Sequence, residues 1–483
     1  WQIAKLWRPL ALKGVAATLL EPELLRINGQ ILQLRQLQAD GDHGVKLQDL
    51  GNLWSQWAEN AHPNVKEVVL KLAANLKTGV IAQASQLLGL LDRAIALYCQ
   101  TQQYSYQTYA LSDSGPSRSN NEDAAYPLYS RSQDITSSNN SLAIVCDGVG
   151  GHDGGEIASG ETIEYLQGKI SALKLDELKP HQIFNKLAKY IKGANDLINQ
   201  RNDTEQRQER QRMGTTLVMA LAHAQEMYLS HIGDSRIYWI THNSCHQMTV
   251  DDDLASREVR LGYALYRDSL QYPSAGALIQ ALGMRGSAAL HPNLQRYIID
   301  NECVFLLCTD GLSDFDRIEQ QWKQNILPLL EGKQDIASVV KDLIALANEK
   351  NGHDNVTVAL VHCQVNPLPG SSQATVSWSD LETVLAESAD WPDREQFDSD
   401  WSDVAPNETS LPPAAISEKQ MTEAIGEPLA TSKPAKWIKP LIFALVLSTI
   451  IGLFAYKMLQ DRFTPNPDST QPLPRPSETD ATQ

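Results

Sequence analysis

The sequence predicts an α+β fold: an antiparallel β-sandwich flanked by helix pairs, with a small N-terminal accessory domain before it and a C-terminal transmembrane helix after it. Three observations predict this. The run Thr215 to Ile240, TTLVMALAHAQEMYLSHIGDSRIYWI, offers three consecutive apolar strands joined by very short turns, which antiparallel pairing accommodates and parallel pairing does not. Amphipathic helices come in pairs, near 155–170 and 180–200 and again near 317–330 and 335–349, and strand clusters flanked by helix pairs make layers. Beyond both, Pro440 to Tyr456 carries no charge and, with Trp437, approaches the length that crosses a bilayer core.

Taken in order, residues 1–108 read as a domain of their own. Asn28-Gly29 signals a two-residue hairpin whose Leu25, Ile27, Leu32 and Leu34 share a face. The period then becomes helical: Asn64 caps a helix bearing Val65, Val68, Val69, Leu72 and Leu76, with Gly79 as its stop, and Leu87, Leu91 and Ile95 mark another. No chemistry is evident there. Residues 109–364 carry the strands and helix pairs. Residues 365–436, with Asp380, Glu382, Glu387, Asp390 and further acids, read as an acidic disordered linker. Residues 437–458 form the predicted membrane helix, with Trp437 and Tyr456 suited to its two interfaces, and 459–483 a short Pro-rich tail.

A formal charge of −17 lacks the basic footprint that nucleic acid demands, so no nucleic-acid partner is expected. The six cysteines contain no CxxC pair and read as free core thiols of a reducing compartment. The chain begins at Trp1 with no signal-peptide pattern. Lys433, Lys436 and Lys439 precede the apolar segment, whereas Lys457 and Arg462 follow it. That balance predicts a single-pass C-terminal anchor with residues 1–436 on the cytoplasmic side of the plasma membrane.

Leu142 to Ser159, LAIVCDGVGGHDGGEIAS, delivers an aspartate from an apolar strand into a loop with five glycines between Gly148 and Gly155. Close approach to the backbone is implied. No Lys-Ser or Lys-Thr follows, so a P-loop does not fit, and Asp147 favours a cation over an anion. Similar settings recur at Glu122-Asp123, Asp310 and Asp354. A carboxylate at the end of a buried strand is costly unless paired or coordinating, and Glu122, Asp147, Asp310 and Asp354 would formally balance two hard divalent cations.

The ordered set R-x-x-N-E-D at Arg118 to Asp123, D-G-x-G-G at Asp147 to Gly151, G-T-T at Gly214 to Thr216, G-D-S-R at Gly233 to Arg236, T-D-G-L-x-D at Thr309 to Asp314 and D-N-x-T at Asp354 to Thr357 resembles the metal-dependent protein phosphatases of type 2C, in their bacterial branch, across about 250 residues. The resemblance implies two divalent metals, Mn2+ or Mg2+. Asp147 would bridge them, Asp310 and Asp354 would complete one site, and Glu122 with the Gly148 carbonyl would serve the other. Asp234 and Asp314 would hold a third, weaker metal. Arg118 would grip the substrate phosphate with its guanidinium fork.

The implied reaction is hydrolysis of phosphoserine and phosphothreonine by a metal-bridging hydroxide, with phosphoproteins as substrates and a serine/threonine kinase as the opposing partner. No cysteine nucleophile is needed, and Cys146 reads as core. Where some members carry a histidine after the first glycine, this chain has Val149, so the general acid is left open between His152, His353 and a bound water. Asp251 to Ser274 occupies the place of a variable flap beside the cleft, where Arg257, Arg260 and Arg267 read as solvated helix charges or as contacts for acidic substrates. Two rival readings use the same residues: a pseudophosphatase acting as a membrane-tethered scaffold, and a hydrolase of small phosphate esters.

Overall fold

The computed structural model describes residues 1–42, 44–128, 138–149, 154–272, 274–370 and 376–387, all within one compact unit, Trp1–Ala405. The predicted membrane helix, the tail and the linker beyond 387 lie outside the described residues, as does His152. No helix among the described residues is long and apolar enough to cross a membrane.

In chain order the elements are α1 (Gln2–Leu12), β1 (Leu25–Asn28), β2 (Ile31–Leu34), α2 (Leu47–Glu59), α3 (Pro63–Lys77), α4 (Ala84–Cys99), β3 (Gln102–Asp113), β4 (Ala124–Tyr126), β5 (Asn140–Cys146), β6 (Gly148–Val149), α5 (Gly155–Ser171) and α6 (Pro180–Thr204). They continue with β7 (Gly214–Thr215), β8 (Leu217–His223), β9 (Glu226–Ile232), β10 (Arg236–Ile240), β11 (Cys245–Gln247), α7 (Leu254–Arg260), α8 (Tyr266–Ser269), β12 (Asn293–Ile298) and β13 (Cys303–Cys308). The last are α9 (Asp310–Ser313), α10 (Arg317–Asn325), α11 (Leu327–Leu330), α12 (Ile336–Lys350), β14 (Val356–Pro367) and α13 (Ser379–Glu387).

Two five-stranded antiparallel sheets, ordered β11-β10-β13-β14-β3 and β12-β9-β8-β5-β4, stack face to face. Strand β13 explains why the strands read as unbroken apolar runs. Its Cys303, Phe305 and Leu307 enter the core between the sheets, while Val304, Leu306 and Cys308 face α10–α12. A strand covered on both faces has no side to leave polar. Helices α5 and α6 cover the other sheet through Leu166, Ile183, Leu187 and Ile191 against Ile144, Cys146, Met219 and Leu221. Cys146 thus points into packing, and the six cysteines are free.

The three-strand run corrects one expectation. β8 and β9 form the predicted hairpin, but β10 leaves that sheet and pairs with β13, Arg236 opposite Cys308. Gly233, at φ +98°, makes the corner, and a Cβ there would stand 2.7 Å from the Thr216 side chain. The crossing sets Asp234 at the end of the sandwich instead of inside a hairpin turn.

The domain edges differ from 109 and 364. β3 begins at Gln102 and pairs along its length with β14, which ends at Pro367, so the sandwich reaches past both limits. The acidic linker also starts later than residue 365. Val376, Trp378 and Leu381 are buried in the N-terminal hydrophobic cluster beside Leu50, Leu72, Leu87 and Leu90, within the same compact unit as the sandwich. Ser377 and Asp380 bond one another at the start of α13. Asp380 and Glu382, two of the acids that suggested disorder, lie on the exposed side of this helix.

Within the accessory domain the hairpin forms with Leu25 opposite Leu34 and Ile27 opposite Leu32. Its turn is Gly29-Gln30, one residue later than expected, because Asn28 still pairs with Ile31. The cap of α3 is His62, whose ring accepts from the Asn64 amide with Pro63 in the first turn, not Asn64 itself. Two helices, α1 and α2, were not expected, because each contains a residue that reads as a breaker: Pro9 and Gly51. Gly51 is required by packing, since a Cβ there would lie 2.7 Å from the Ala73 carbonyl of α3.

Candidate metal centre

The loops at one end of the sandwich carry every carboxylate singled out from the sequence. The β3–β4 loop is pinned by Asn355, whose amide oxygen accepts from Glu122 N at 2.9 Å and whose nitrogen donates to the carbonyls of Ser114 and Asn120 at 2.9 and 2.8 Å. That clamp is the work of asparagine in the D-N-x-T motif. Thr357, in the same motif, donates its amide to Thr309 Oγ1 at 3.0 Å, and Thr309 Oγ1 donates to Asp123 Oδ2 at 2.9 Å.

Asp147 ends β5. Thr216 fixes it, accepting from the Asp147 amide at 3.0 Å and donating its own amide to the Asp147 carbonyl at 2.8 Å. The G-T-T motif is therefore a backbone brace for the aspartate. Next to it, the glycine question has a geometric answer. A Cβ on Gly148 would fall 2.4 Å from the Gly155 carbonyl group and 2.6 Å from the Glu122 carbonyl oxygen. One on Gly155 would fall 2.9 Å from the Gly148 carbonyl oxygen and 3.0 Å from Glu122 Oε2. Only glycines let the start of α5 press against this strand end, and the contact gathers the Gly148 carbonyl and the Glu122 carboxylate at one spot.

On the other side, Asp310 opens α9 and Asp354 lies in the turn two residues before β14. Asp354 Oδ2 pairs with Arg118 Nη2 at 2.7 Å, and Arg118 Nε reaches the His353 carbonyl at 3.4 Å. His353 Nε2 lies 3.1 Å from Asp314 Oδ2. Arg236 of the G-D-S-R motif is tied to Asp251 at 2.7 Å, under the Asp234 corner.

The electrostatics describe carboxylates short of counter-charge. Burial, then Asp123, Asp310, Asp234 and Asp354, push the Asp147 carboxyl well above the usual range. Asp234 is raised likewise by burial and by Asp310 and Asp251. Burial with Asp314 and Asp354 lifts Asp310 to about 6, and burial with Asp310 and Asp354 lifts Asp123 to about 7, against the hydrogen bonds from Thr357 and Thr309. Burial also raises Asp314, opposed by His353. Such mutual elevation arises when like charges share a poorly hydrated site. Asp310 Oδ1 is buried with no hydrogen-bond partner.

Among the described residues, no three acidic, histidine or cysteine side chains stand close enough as they are to enclose a metal ion. The donor set nevertheless fits hard divalent cations: all oxygens, one orphaned and buried, and a backbone carbonyl beside Glu122.

Sequence reasoning missed Asp123 as a member of the group. Its neighbour Glu122 drew attention, yet Asp123 is the more buried of the two and interacts with Asp310 and Asp354. The signal was the adjacent pair of acids, since consecutive residues in extended chain face opposite ways. Asn355 and Thr216 were recognised as motif letters without their bracing roles.

Residues 117–360 match the family model for protein phosphatase 2C. A putative 2C-type protein phosphatase of Streptococcus pyogenes is 30% identical over 251 residues, covering 52% of this chain and 94% of the relative. The serine/threonine phosphatase stp of Listeria welshimeri is 29% identical over 228 residues, covering 46% of this chain and 84% of the relative. Among solved structures, the catalytic domain of the serine/threonine protein phosphatase PstP in complex with two manganese ions is 30% identical, covering 54% of this chain and all of that one, with a TM-score of 0.43. On the extent of the family match and the coverage of these relatives, the chain belongs to the protein phosphatase 2C family, among its bacterial-type serine/threonine phosphatases.

Proposed function

We propose that this chain removes phosphate from phosphoserine and phosphothreonine in proteins, using two divalent cations held at the end of the sandwich, and works beside a membrane to which its C-terminus ties it. The observation that carries the reading is the gathering of Asp147, Asp310 and Asp234 into one field of raised carboxyls, with a buried Asp310 oxygen lacking any partner and the Asp354 carboxylate, held by Arg118, at the same end of the sandwich.

Asp147 stands between the two groups and would serve both cations. Asp310 and Asp354 would complete one site, Glu122 and the Gly148 carbonyl the other, and Asp234 with Asp314 a third, weaker one. When bound, the cations supply a water of lowered pKa and offset charge on the phosphoryl group. The chain's own residues do the rest. Thr216 and Asn355 hold the backbone of Asp147 and Glu122 in place, so the oxygens are positioned before the substrate arrives. Arg118, half exposed, has N–H groups beyond those engaged by Asp354 and His353, and its planar fork suits phosphoryl oxygens. Val149 offers no proton. His353, beside Asp314 and Arg118, is the described histidine in position to relay one to the leaving oxygen.

Turnover of phosphothreonine peptides by the full chain tests this. Chelation should abolish it and manganese restore it, with kcat/KM at least about tenfold above that for p-nitrophenyl phosphate. Metal-independent turnover would sink the reading. Binding of phosphopeptides without turnover would favour the scaffold alternative, and a preference for the small ester the other.

The anchor rests on residues 437–458 and on the lysines before them. The full chain should pellet with membranes and a chain ending at 430 should not. Digestion of the catalytic domain from outside intact cells would refute the cytoplasmic orientation.

A further inference from the structure

Directly after Asp314 the backbone does something unusual. Phe315 and Asp316 both adopt left-handed conformations, at φ +62° and +54°; aspartate is among the residues that tolerate this region, whereas phenylalanine is disfavoured there. Neither is glycine. The turn is held from several sides: Gln320 Nε2 donates to the Phe315 carbonyl at 3.0 Å, Arg236 Nη1 to the Ser313 carbonyl at 3.3 Å, and Asn351 Nδ2 to the Gly311 carbonyl at 2.8 Å. Strain maintained in this way gathers at sites that bind something. Here its product is a phenylalanine that is 68% exposed and outside every core.

The ring is not isolated. It meets the His353 ring edge-on, with centroids 6.1 Å apart, and the His353 carbonyl is the acceptor of Arg118 Nε. Phe315 is thus one contact removed from the arginine proposed to hold the phosphate. Across the same turn, Tyr266 feels the charges of Arg236 and Asp316. Tyr266 is 46% exposed, and its neighbours Leu265 and Tyr263 are exposed too. Asp314 and Asp316 lie on either side of Phe315 in the chain, so an acidic side chain brought to this ring would meet like charge.

We propose that Phe315 is a specificity-determining residue: its ring receives a large apolar side chain within two residues of the phosphorylated residue, so that the preferred substrates are phosphoproteins with an apolar side chain flanking the phosphosite. The inference rests on the protein-phosphatase reading given above. Its occupant is the substrate chain, because that chain must already lie at Arg118. In extended chain each residue advances about 3.3–3.6 Å and alternate side chains share a face, so the side chain two residues away is the one presented on the same side, about 7 Å along.

The test uses the full chain with manganese and a phosphothreonine peptide carrying leucine, serine or glutamate in turn at each position within two residues of the phosphothreonine. The wild type should prefer leucine over serine about tenfold in kcat/KM, mainly through KM, with glutamate worst. Phe315→Ala should bring the leucine-to-serine ratio close to one, and Phe315→Leu should restore most of it. Thermal melting of each variant reports whether the turn persists. A leucine preference unchanged in Phe315→Ala overturns the proposal, as does an equal loss on all three peptides. So does a monomer–dimer equilibrium that Phe315→Ala abolishes while discrimination stays the same, which would assign the ring to a second copy. If p-nitrophenyl phosphate is hydrolysed and none of the peptides is, the protein-substrate reading itself fails and takes this inference with it.

Discussion

The two ends of the sandwich both hold charge out of water, and they do so in opposite ways. At the far end, Arg296 is almost fully buried between Glu226 and Asp92, pairing with Asp92 at 3.0 Å, and its guanidinium lies 5.4 Å from the centre of the Trp1 ring. Asp92 also accepts from Trp1 Nε1 at 2.7 Å, and His362 meets Glu302 at 2.9 Å. The Arg296 cation there has carboxylate counter-charges within the protein and ties helix α4 to strand β12; Arg296 Nε and His362 Nδ1 are also buried without a hydrogen-bond partner, so what sets this end apart is its balance of opposite charges. At the cleft end, Asp147, Asp234 and Asp310 face chiefly one another, and an Asp310 oxygen has no partner. Charge balanced by protein is structure; charge left for a solute to balance is a site. The difference separates a stabilising network from a functional one without appeal to any motif.

Removing a charge should therefore have opposite consequences at the two ends. Asp147→Ala should lower metal-dependent turnover by at least about 10³-fold, since several kcal/mol of charge stabilisation go with it. The metal-free protein should melt at the same temperature or higher, because one of several repelling carboxylates is gone. Asp310→Asn should approach the same loss of turnover. Manganese-stimulated activity in purified Asp147→Ala, or a melting temperature lowered as by a core mutation, would break the contrast.

At the other end, Arg296→Ala leaves Glu226 and Asp92 facing each other without a cation. That should cost about 3–5 kcal/mol, whereas Arg296→Met, which leaves an apolar filler in place, should cost less. Activity per folded molecule should be retained in both. Denaturant unfolding with an activity assay reads the two quantities separately, and a specific loss of activity would mean that the far end communicates with the cleft.

How much of this was legible follows from where the information resides. The carboxylates of the cleft are strand-end residues in short ordered motifs, and Glu122, Asp147, Asp310 and Asp354 were identified from the sequence and come to the same end. Asp234 was identified too, but not the reason for its position, since a short turn such as Ile232 to Arg236 looks the same whether the next strand stays in its sheet or crosses. The far end was invisible. Asp92, Glu226 and Arg296 are distant in sequence, share no motif, and read singly as surface charges. The accessory domain was half read, because Pro9 and Gly51 resemble helix breakers while one sits within α1 and the other admits a close helix crossing. Its last piece, 376–387, was hidden among acids.

That last piece yields a smaller prediction. Leu381 is fully buried and Trp378 nearly so, in a hydrophobic cluster whose members outside 376–385 come from before residue 100. A chain ending at 387 should keep the melting temperature of the longer protein, and one ending at 370 should lose several degrees, with Leu381→Ala accounting for about 2–5 kcal/mol. Equal melting temperatures for the two truncations would show that α13 adds nothing, and that the accessory core closes without it.

The weakest expected effect is the dependence of stability on pH, which the two ends should oppose. Asp310 and Asp123, raised to about 6 and about 7 from 3.8, keep their protons in the folded protein after the unfolded chain has released them. The folded state then binds more protons than the unfolded one, so this contribution to stability is present below about pH 4 and is lost as pH rises toward 7. His362 behaves inversely. Burial, opposed by Glu302, lowers it from 6.5, so below that pH the unfolded chain gains a proton that the folded ring resists, and stability is lost as pH falls. In metal-free protein the melting temperature should therefore drift down by a few degrees between pH 4 and 7, and more steeply in His362→Gln, which removes the opposing arm below pH 6.5; a shallower drift in that variant would refute the role given to His362. Saturating manganese should reverse the drift, because cations bind the deprotonated acids and bind them better as pH rises. A metal-free protein whose stability climbs steadily from pH 4 to 7 would mean that the cleft carboxylates find their counter-charge within the chain, and the distinction between the two ends would collapse.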